Sequence, residues 1–183
     1  MLRRGGESHI EEIRGILITT RTNRERSAEN ELGSLLISRG IPFRMGAELG
    51  NGAVLFSTEF PFKAYRAVIS SLLSEPMRIY PLVKLKDLER ILSLVKIDKM
   101  RCYLRKKMEI CNDIENYARK IIVGKNLDNT QSSLHVMLHI QGLGVFYGYS
   151  PIPRDCERYE MILKMSNLRG FCSSYADKVS ALL

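Results

Sequence analysis

Apolar positions recur along this chain with two different periods, and the switches between them mark out its elements. Ile16 to Thr20 is a short β-branched run that predicts a buried strand, and the polar break Arg21-Thr22-Asn23-Arg24 after it can start a helix. Ala28, Leu32, Leu35 and Leu36 then repeat at helical spacing with charges between them, and Gly40 supplies a stop. Ile41 to Met45 and Ala53 to Phe56 read as two strands around a glycine-rich turn segment, Gly46 to Gly52. Its Asn51-Gly52 pair suits a tight hairpin turn, because both residue types reach positive φ at low steric cost. Phe62, Tyr65, Val68, Ile69, Leu72 and Leu73 mark an amphipathic helix that begins after Pro61 and ends before Pro76. Met77 to Val83 follows as a strand whose Pro81 suits a sheet edge.

That order, β-α-β-β-α-β over residues 13 to 84, is the split βαβ arrangement called ferredoxin-like, with two helices on one face of an antiparallel sheet. Residues 1 to 12 read as a polar, flexible start. A second unit, residues 85 to 153, opens with Leu85, Leu88, Ile91, Leu92 and Val95 at helical spacing and continues into a strand from Met100 to Lys107. Alternation along that strand sends Cys102 and Leu104 one way and Arg101, Tyr103, Arg105 and Lys107 the other. A helix with Ile110, Ile114, Tyr117, Ala118, Ile121 and Ile122 on one stripe ends at Gly124. Leu134, Val136, Leu138 and Ile140 then form a half-buried strand that turns at Gln141-Gly142 into Leu143 to Tyr149. Residues 154 to 183 read as a helical appendage: a helix from Cys156 to Met165 and an amphipathic tail around Phe171, Tyr175, Val179 and Leu182. The fold class expected is α+β.

Charge changes the picture more than composition does. Hydrophobic content of 45% with 26% charged residues is ordinary for a folded soluble protein. The formal net charge of +8, however, sits almost wholly between Arg78 and Lys107, where ten Lys or Arg face only three acids. A surplus confined to one segment is the footprint of a polyanion-binding face, whereas a diffuse surplus serves solubility. Arg and aromatic groups together suit phosphate contact plus base stacking, which singles out the strand carrying Arg101, Tyr103 and Arg105.

Other chemistry reads as structural. Gly46 to Gly52 lacks the Lys-Ser/Thr ending of a P-loop. His135 and His139 share a strand face but lie about 13 Å apart, too far for one metal ion. Cys102, Cys111, Cys156 and Cys172 show no CxxC pairing and no His at zinc spacing, so free, buried thiols are expected and no metal or cofactor is implied. The acid pairs Glu11-Glu12 and Glu29/Glu31 read as solvated surface, and no nucleophile-base set stands out. With no apolar run of about 20 residues and no signal-peptide core at the start, a cytoplasmic protein without membrane contact is expected.

Three stretches resemble THUMP-domain proteins that act as tRNA-binding adaptors for cytidine acetylation in archaea and eukaryotes. ILITTRTNRERSAENEL resembles that family's opening strand and helix through Arg21, Glu25, Glu31 and Leu32, and MRIYPLVKLKDLERI resembles its Arg-x-x-Pro strand through Arg78 and Pro81. KNLDNTQSSLHVMLHIQGLGVFYG resembles the end of a THUMP domain through Leu127-Asp128-Asn129, although Thr130-Gln131 stands where the family loop continues with Pro-Asp. The resemblance covers roughly residues 15 to 150. It implies a ferredoxin-like domain followed by a THUMP-like domain that together hold tRNA, while a separate acetyltransferase does the chemistry.

The reading that results is a non-catalytic RNA-binding protein. Expected contacts are Arg101, Tyr103, Arg105, Lys106 and Lys107, flanked by Lys96, Lys99, Lys120 and Lys125, with Arg21, Arg24 and Arg26 extending the surface. Its partners would be tRNA and an RNA-modifying enzyme, with homodimerisation through an edge strand open. Two rivals stand beside it. One is a protein-interaction subunit that docks through its Phe171 to Leu183 tail, and the other is a small enzyme on a ferredoxin-like scaffold.

Overall fold

A computed structural model of the chain describes residues 10–50, 52–91, 94, 116, 133–134 and 145–183. It is a mixed α+β structure whose largest sheet among the described residues has four strands. Strand β2 (Gly15–Thr19) lies inside that sheet because its sequence, Gly-Ile-Leu-Ile-Thr, is apolar on both faces. It pairs antiparallel with β4 (Ala53–Ser57) on one side and β5 (Arg78–Leu82) on the other, and β3 (Arg44–Gly50) pairs antiparallel with β4. The order is therefore β3-β4-β2-β5. Register sets Ile18 between Val54 and Ile79, a row in which every residue is fully buried. Leu17, on the opposite face, lies between Leu55 and Tyr80 and is buried too. Pro81 occupies β5, an edge of the sheet, where its missing N–H leaves no ladder bond unmade.

Helix α1 (Glu25–Ser38) packs against β3 and β4, α2 (Pro61–Ile69) packs against β2 and β5, and the two helices touch. Their buried stripes are Ala28, Leu32 and Leu36 on α1 and Phe62, Tyr65, Val68 and Ile69 on α2. Gly40 ends α1 with φ +64°. The Ile41 N–H reaches back to the Leu36 carbonyl and the Gly40 N–H to that of Ile37, which satisfies two carbonyls left over at the helix end. Gly52 turns the hairpin with φ +76°, so close under β2 that an added Cβ would meet the Thr20 carbonyl oxygen at 2.3 Å.

Boundaries differ from the pattern in two places. Most of the expected turn segment Gly46 to Gly52 is strand β3 itself, which absorbs its glycines as register shifts at Arg44/Gly46 and Glu48/Gly50. Helix α2 stops at Ile69, leaving Leu72 88% exposed where the apolar spacing put it on a buried stripe. The serines end the helix: the Ser70 and Ser71 hydroxyls donate back to the carbonyls of Arg66 and Ala67. The Glu31 carboxylate then takes the N–H groups of Ser74 and Glu75 and draws the chain along α1 instead.

Beyond β5, α3 (Leu85–Ile91) forms where the helical spacing from Leu85 predicts a helix. The strand expected from Met100 to Lys107 lies outside the described residues, as does the helix from Ile110 to Ile122 apart from the helical Asn116. Two short strands are described near the expected hairpin: β6 (Ser133–Leu134) and β7 (Val145–Tyr147). Strand β7 pairs in parallel with β1 (Ile10–Glu12), so these three residues of the polar start belong to a sheet. Three residues are too few to show a period. What holds them is long-range: the Glu12 carboxylate accepts the Leu85 N–H and the Tyr147 hydroxyl.

The C-terminal segment returns to the first sheet. Strand β8 (Ile152–Pro153) pairs with β6, and a 3-10 turn (Arg154–Glu157), α4 (Tyr159–Lys164) and α5 (Ser166–Leu182) follow. The helix expected from Cys156 to Met165 is split because Arg158 is extended and bridges Arg78 beside β5. Helix α5 lies along α2, burying Cys172, Tyr175, Ala176 and Val179, while Phe171 is half exposed instead of joining that stripe. Cys156 and Cys172 form a disulfide with Cα atoms 5.6 Å apart, both side chains fully buried, which corrects the expectation of free thiols for these two cysteines. The pairing escaped the spacing argument because it joins a 3-10 turn to the middle of a helix, and no local motif encodes that approach. Among the described residues no helix is long and apolar enough to cross a membrane.

Candidate nucleic-acid interface

Elements of the sheet unit engage part of the segment's charge. Arg78, the first of the ten in the basic segment, donates from Nη1 to Glu157 Oε1 at 2.9 Å, and Glu157 is buried. Asp87, one of its three acids, is 1% exposed and held by Arg14 from outside the segment, with Nε to Oδ2 at 2.8 Å and Nη2 to Oδ1 at 2.6 Å. Asp87 also accepts the Lys84 N–H at 3.0 Å and so caps the start of α3. Burial raises its carboxyl, but the Arg14 and Lys84 hydrogen bonds and the charges of Arg14 and Lys86 outweigh burial and hold it below the usual range. One cation and one acid are thus absorbed internally, and the segment's surplus is unchanged. Lys86 and Arg90 stand exposed on α3.

Arg101, Tyr103, Arg105, Lys106, Lys107, Lys96, Lys99, Lys120 and Lys125 lie outside the described residues, as do His135, His139, Cys102 and Cys111. Arg21, Arg24 and Arg26 are described, and all three are exposed. They are brought together by the turn from β2 into α1, in which Asn23 takes φ 68° and the Arg24 N–H donates to the Arg21 carbonyl at 3.0 Å. Between them Glu25 points elsewhere: its carboxylate accepts the Gly52 N–H at 2.7 Å, and its own N–H and that of Gly52 hold the group below the usual carboxylate range. The turn therefore offers three exposed cations with its one acid engaged by the hairpin.

A second basic surface lies where α5 runs along α2. Arg66 from α2, Ser70 just past its end, and Arg169, Ser174, Asp177 and Lys178 from α5 line an open groove of about 850 Å³. On α5 the lining residues recur at helical spacing beside the buried stripe, with Ser173 belonging to both, and Gly170 among them has nothing within 4 Å of where a Cβ would stand. Arg66 Nε sits 3.4 Å from Asp177 Oδ1, a pair with 41% and 65% of its side chains exposed, so it contributes little to stability. Among the described residues Arg169 and Lys178 make no ion pair. The apolar stripe of the tail gives no sign of Arg169 and Lys178. The same spacing read for its polar residues, Ser166, Arg169, Gly170, Ser173, Ser174, Asp177 and Lys178, would have drawn this face.

Two acids read as solvated surface are structural anchors. Glu31 accepts three hydrogen bonds from Ser74 and Glu75, and Glu12 joins α3 to β7. The tail from Phe171 to Leu183, the docking element of the interaction-subunit reading, has its apolar stripe already engaged by this chain. The Tyr175 hydroxyl pins it by donating to the Pro151 carbonyl, and the Tyr65 hydroxyl fastens the preceding 3-10 turn to α2 by donating to the Cys156 carbonyl at 2.7 Å. Burial pushes both phenols well above their ordinary range.

No family model matches the sequence, and no curated protein matches it. Among solved structures the chain is similar to the crystal structure of PH1313 from Pyrococcus horikoshii Ot3, at 14% identity and a TM-score of 0.48. The likeness covers 77% of this chain and 55% of that one, so this chain matches about half the length of the solved protein.

Proposed function

We propose that this chain is a non-catalytic RNA-binding protein, with a ferredoxin-like unit followed by a THUMP-like unit, that presents tRNA to a separate modifying enzyme of the acetyltransferase kind. The observation that carries the proposal is the charge segregation: ten Lys or Arg against three acids between Arg78 and Lys107 in a chain that is otherwise almost neutral. Supporting it, β2-α1-β3-β4-α2-β5 with strand order β3-β4-β2-β5 has the connectivity of a split βαβ unit. The exposed Arg21, Arg24 and Arg26 add cations outside the segment. The resemblance of three stretches to the tRNA-binding THUMP proteins supplies the substrate class and the partner enzyme.

Binding to tRNA measured across a salt series tests it. Contact with about 5 phosphates of a single-stranded region predicts that log affinity falls with log salt at a slope near −3.5. Replacing Arg101, Arg105 and Lys107 together by Ala should weaken binding at least tenfold while the circular dichroism spectrum stays unchanged. A flat salt dependence would overturn the electrostatic basis of the proposal.

A further inference from the structure

We infer that the groove between α2 and α5 is a second nucleic-acid contact, one that grips the sugar-phosphate backbone of a single strand through Arg66, Arg169 and Lys178. The inference rests on the RNA-binding reading and adds to it a surface far in sequence from the basic segment.

The donor set points to phosphate. Its described lining offers two guanidinium groups, an ammonium group and several hydroxyls, with no aromatic ring among the described lining residues on which a base could stack. Such a set contacts phosphate and sugar and carries no base readout. Spacing agrees with a strand, not a lone anion. Arg169 and Lys178 stand nine residues apart on α5, at the two flanks of its groove-lining face and roughly 13 Å apart along the axis at 1.5 Å per residue. Cations that far apart meet different phosphates of one strand and cannot share a single anion. A serine or glycine at most intervening lining positions keeps the floor low, so a backbone can lie along the helix between the two cations.

Asp177 makes the groove selective in strength. Its carboxylate, 3.4 Å from Arg66, occupies the position a phosphate oxygen would take. Both partners are exposed, so exchanging the carboxylate for a phosphate costs little desolvation. In the free protein Asp177 thus holds Arg66 over the groove, and in the complex it becomes a repulsive neighbour that tempers affinity. Asp177→Asn should tighten RNA binding, the opposite sign from the change expected if the pair were only structural.

The test uses the full chain and a short fluorescein-labelled oligouridylate, titrated at several salt concentrations and read by anisotropy. Arg169→Ala with Lys178→Ala should reduce the magnitude of the salt slope by about 1.4, the value for two phosphate contacts on a single strand. Asp177→Asn should bind more tightly than wild type, and Gly170→Glu, which sets a carboxylate in the open floor, more weakly. Melting curves check that each variant is folded. If wild-type protein binds no oligouridylate, or binds with a flat salt dependence, the RNA reading itself fails. If wild type binds, the Arg101, Arg105, Lys107 triple variant weakens and the groove variants match wild type, only the groove inference is overturned. Loss of binding to phosphatidylserine vesicles by the groove variants, with RNA binding intact, overturns it in favour of a membrane surface.

Discussion

The four-stranded sheet and the C-terminal segment are both well buried, yet they are held by different forces. In the sheet, Ile18, Val54 and Ile79 form a continuous apolar row, and Leu17, Leu55 and Tyr80 another on the opposite face. In the segment from Ile152 to Leu183, an apolar stripe on α5 is joined by discrete pins: the Cys156–Cys172 disulfide, the Arg78–Glu157 ion pair, and hydroxyls of Tyr65, Tyr159 and Tyr175 on distant backbone groups. Among the side chains a non-directional force fixes the first region, and another apolar residue of similar volume serves it nearly as well. Directional bonds fix the second, so its position over α2, and the groove that results, depends on few residues.

Breaking the sheet should cost most. Ile18→Ala removes the centre of the buried row and should destabilise the chain by about 2–5 kcal/mol in urea unfolding. If the segment is integral, circular dichroism and tyrosine fluorescence will report one shared transition; two separate midpoints would make the tail an independent unit. Replacing Cys156 and Cys172 together by Ser should cost about 3 kcal/mol, the entropy of closing a loop of this size in the unfolded chain. Reductant should bring wild type to the variant's melting temperature and leave the variant unmoved.

Acid should loosen the junction between the sheet and α3. Asp87 has a depressed carboxyl in the folded chain, so its contribution is complete above the unfolded value of about 3.9 and is lost as pH falls through the lower folded value. Asp87→Asn should remove that part of the acid sensitivity. It should cost about 2–3 kcal/mol at neutral pH, less than breaking a fully buried pair because Arg14 keeps some exposure. Thermal melts of both proteins between pH 2 and 7 check the sign. Tyr65→Phe, which takes the donor from the buried Cys156 carbonyl, should cost about 1–2 kcal/mol and no more.

The same contrast explains what could be read in advance. Helix α1, the hairpin at Gly52 and the edge position of Pro81 were legible because each is encoded within a few residues, by apolar period, by a turn pair, or by a missing N–H. Strand β1, the shortened α2 and the disulfide were not. Each depends on a partner far along the chain: Tyr147 and Leu85 for Glu12, Ser74 and Glu75 for Glu31, Cys172 for Cys156. Charge was legible as a density but not as an allocation. Sequence counts Arg78 and Asp87 with the basic segment, while in the structure each is paired with a residue from outside it. The groove cations were overlooked for a related reason, since Arg66 and Arg169 become neighbours only once α5 has folded back along α2.

The smallest effect bears most directly on the comparison. A helix attached by specific pins can carry a weak interior position, because its placement does not rest on its own propensity, and Gly170 near the start of the 17-residue α5 is such a position. Nothing lies within 4 Å of its missing Cβ. Gly170→Ala should therefore stabilise the chain by up to about 1 kcal/mol and raise the melting temperature by a few degrees, through the lower entropy of the unfolded chain. Oligouridylate binding should keep its salt slope, since a methyl group adds no charge to the groove. A destabilised Gly170→Ala would mean that the side chain meets α2, and the open floor on which both the groove and its strand-gripping role depend would be gone.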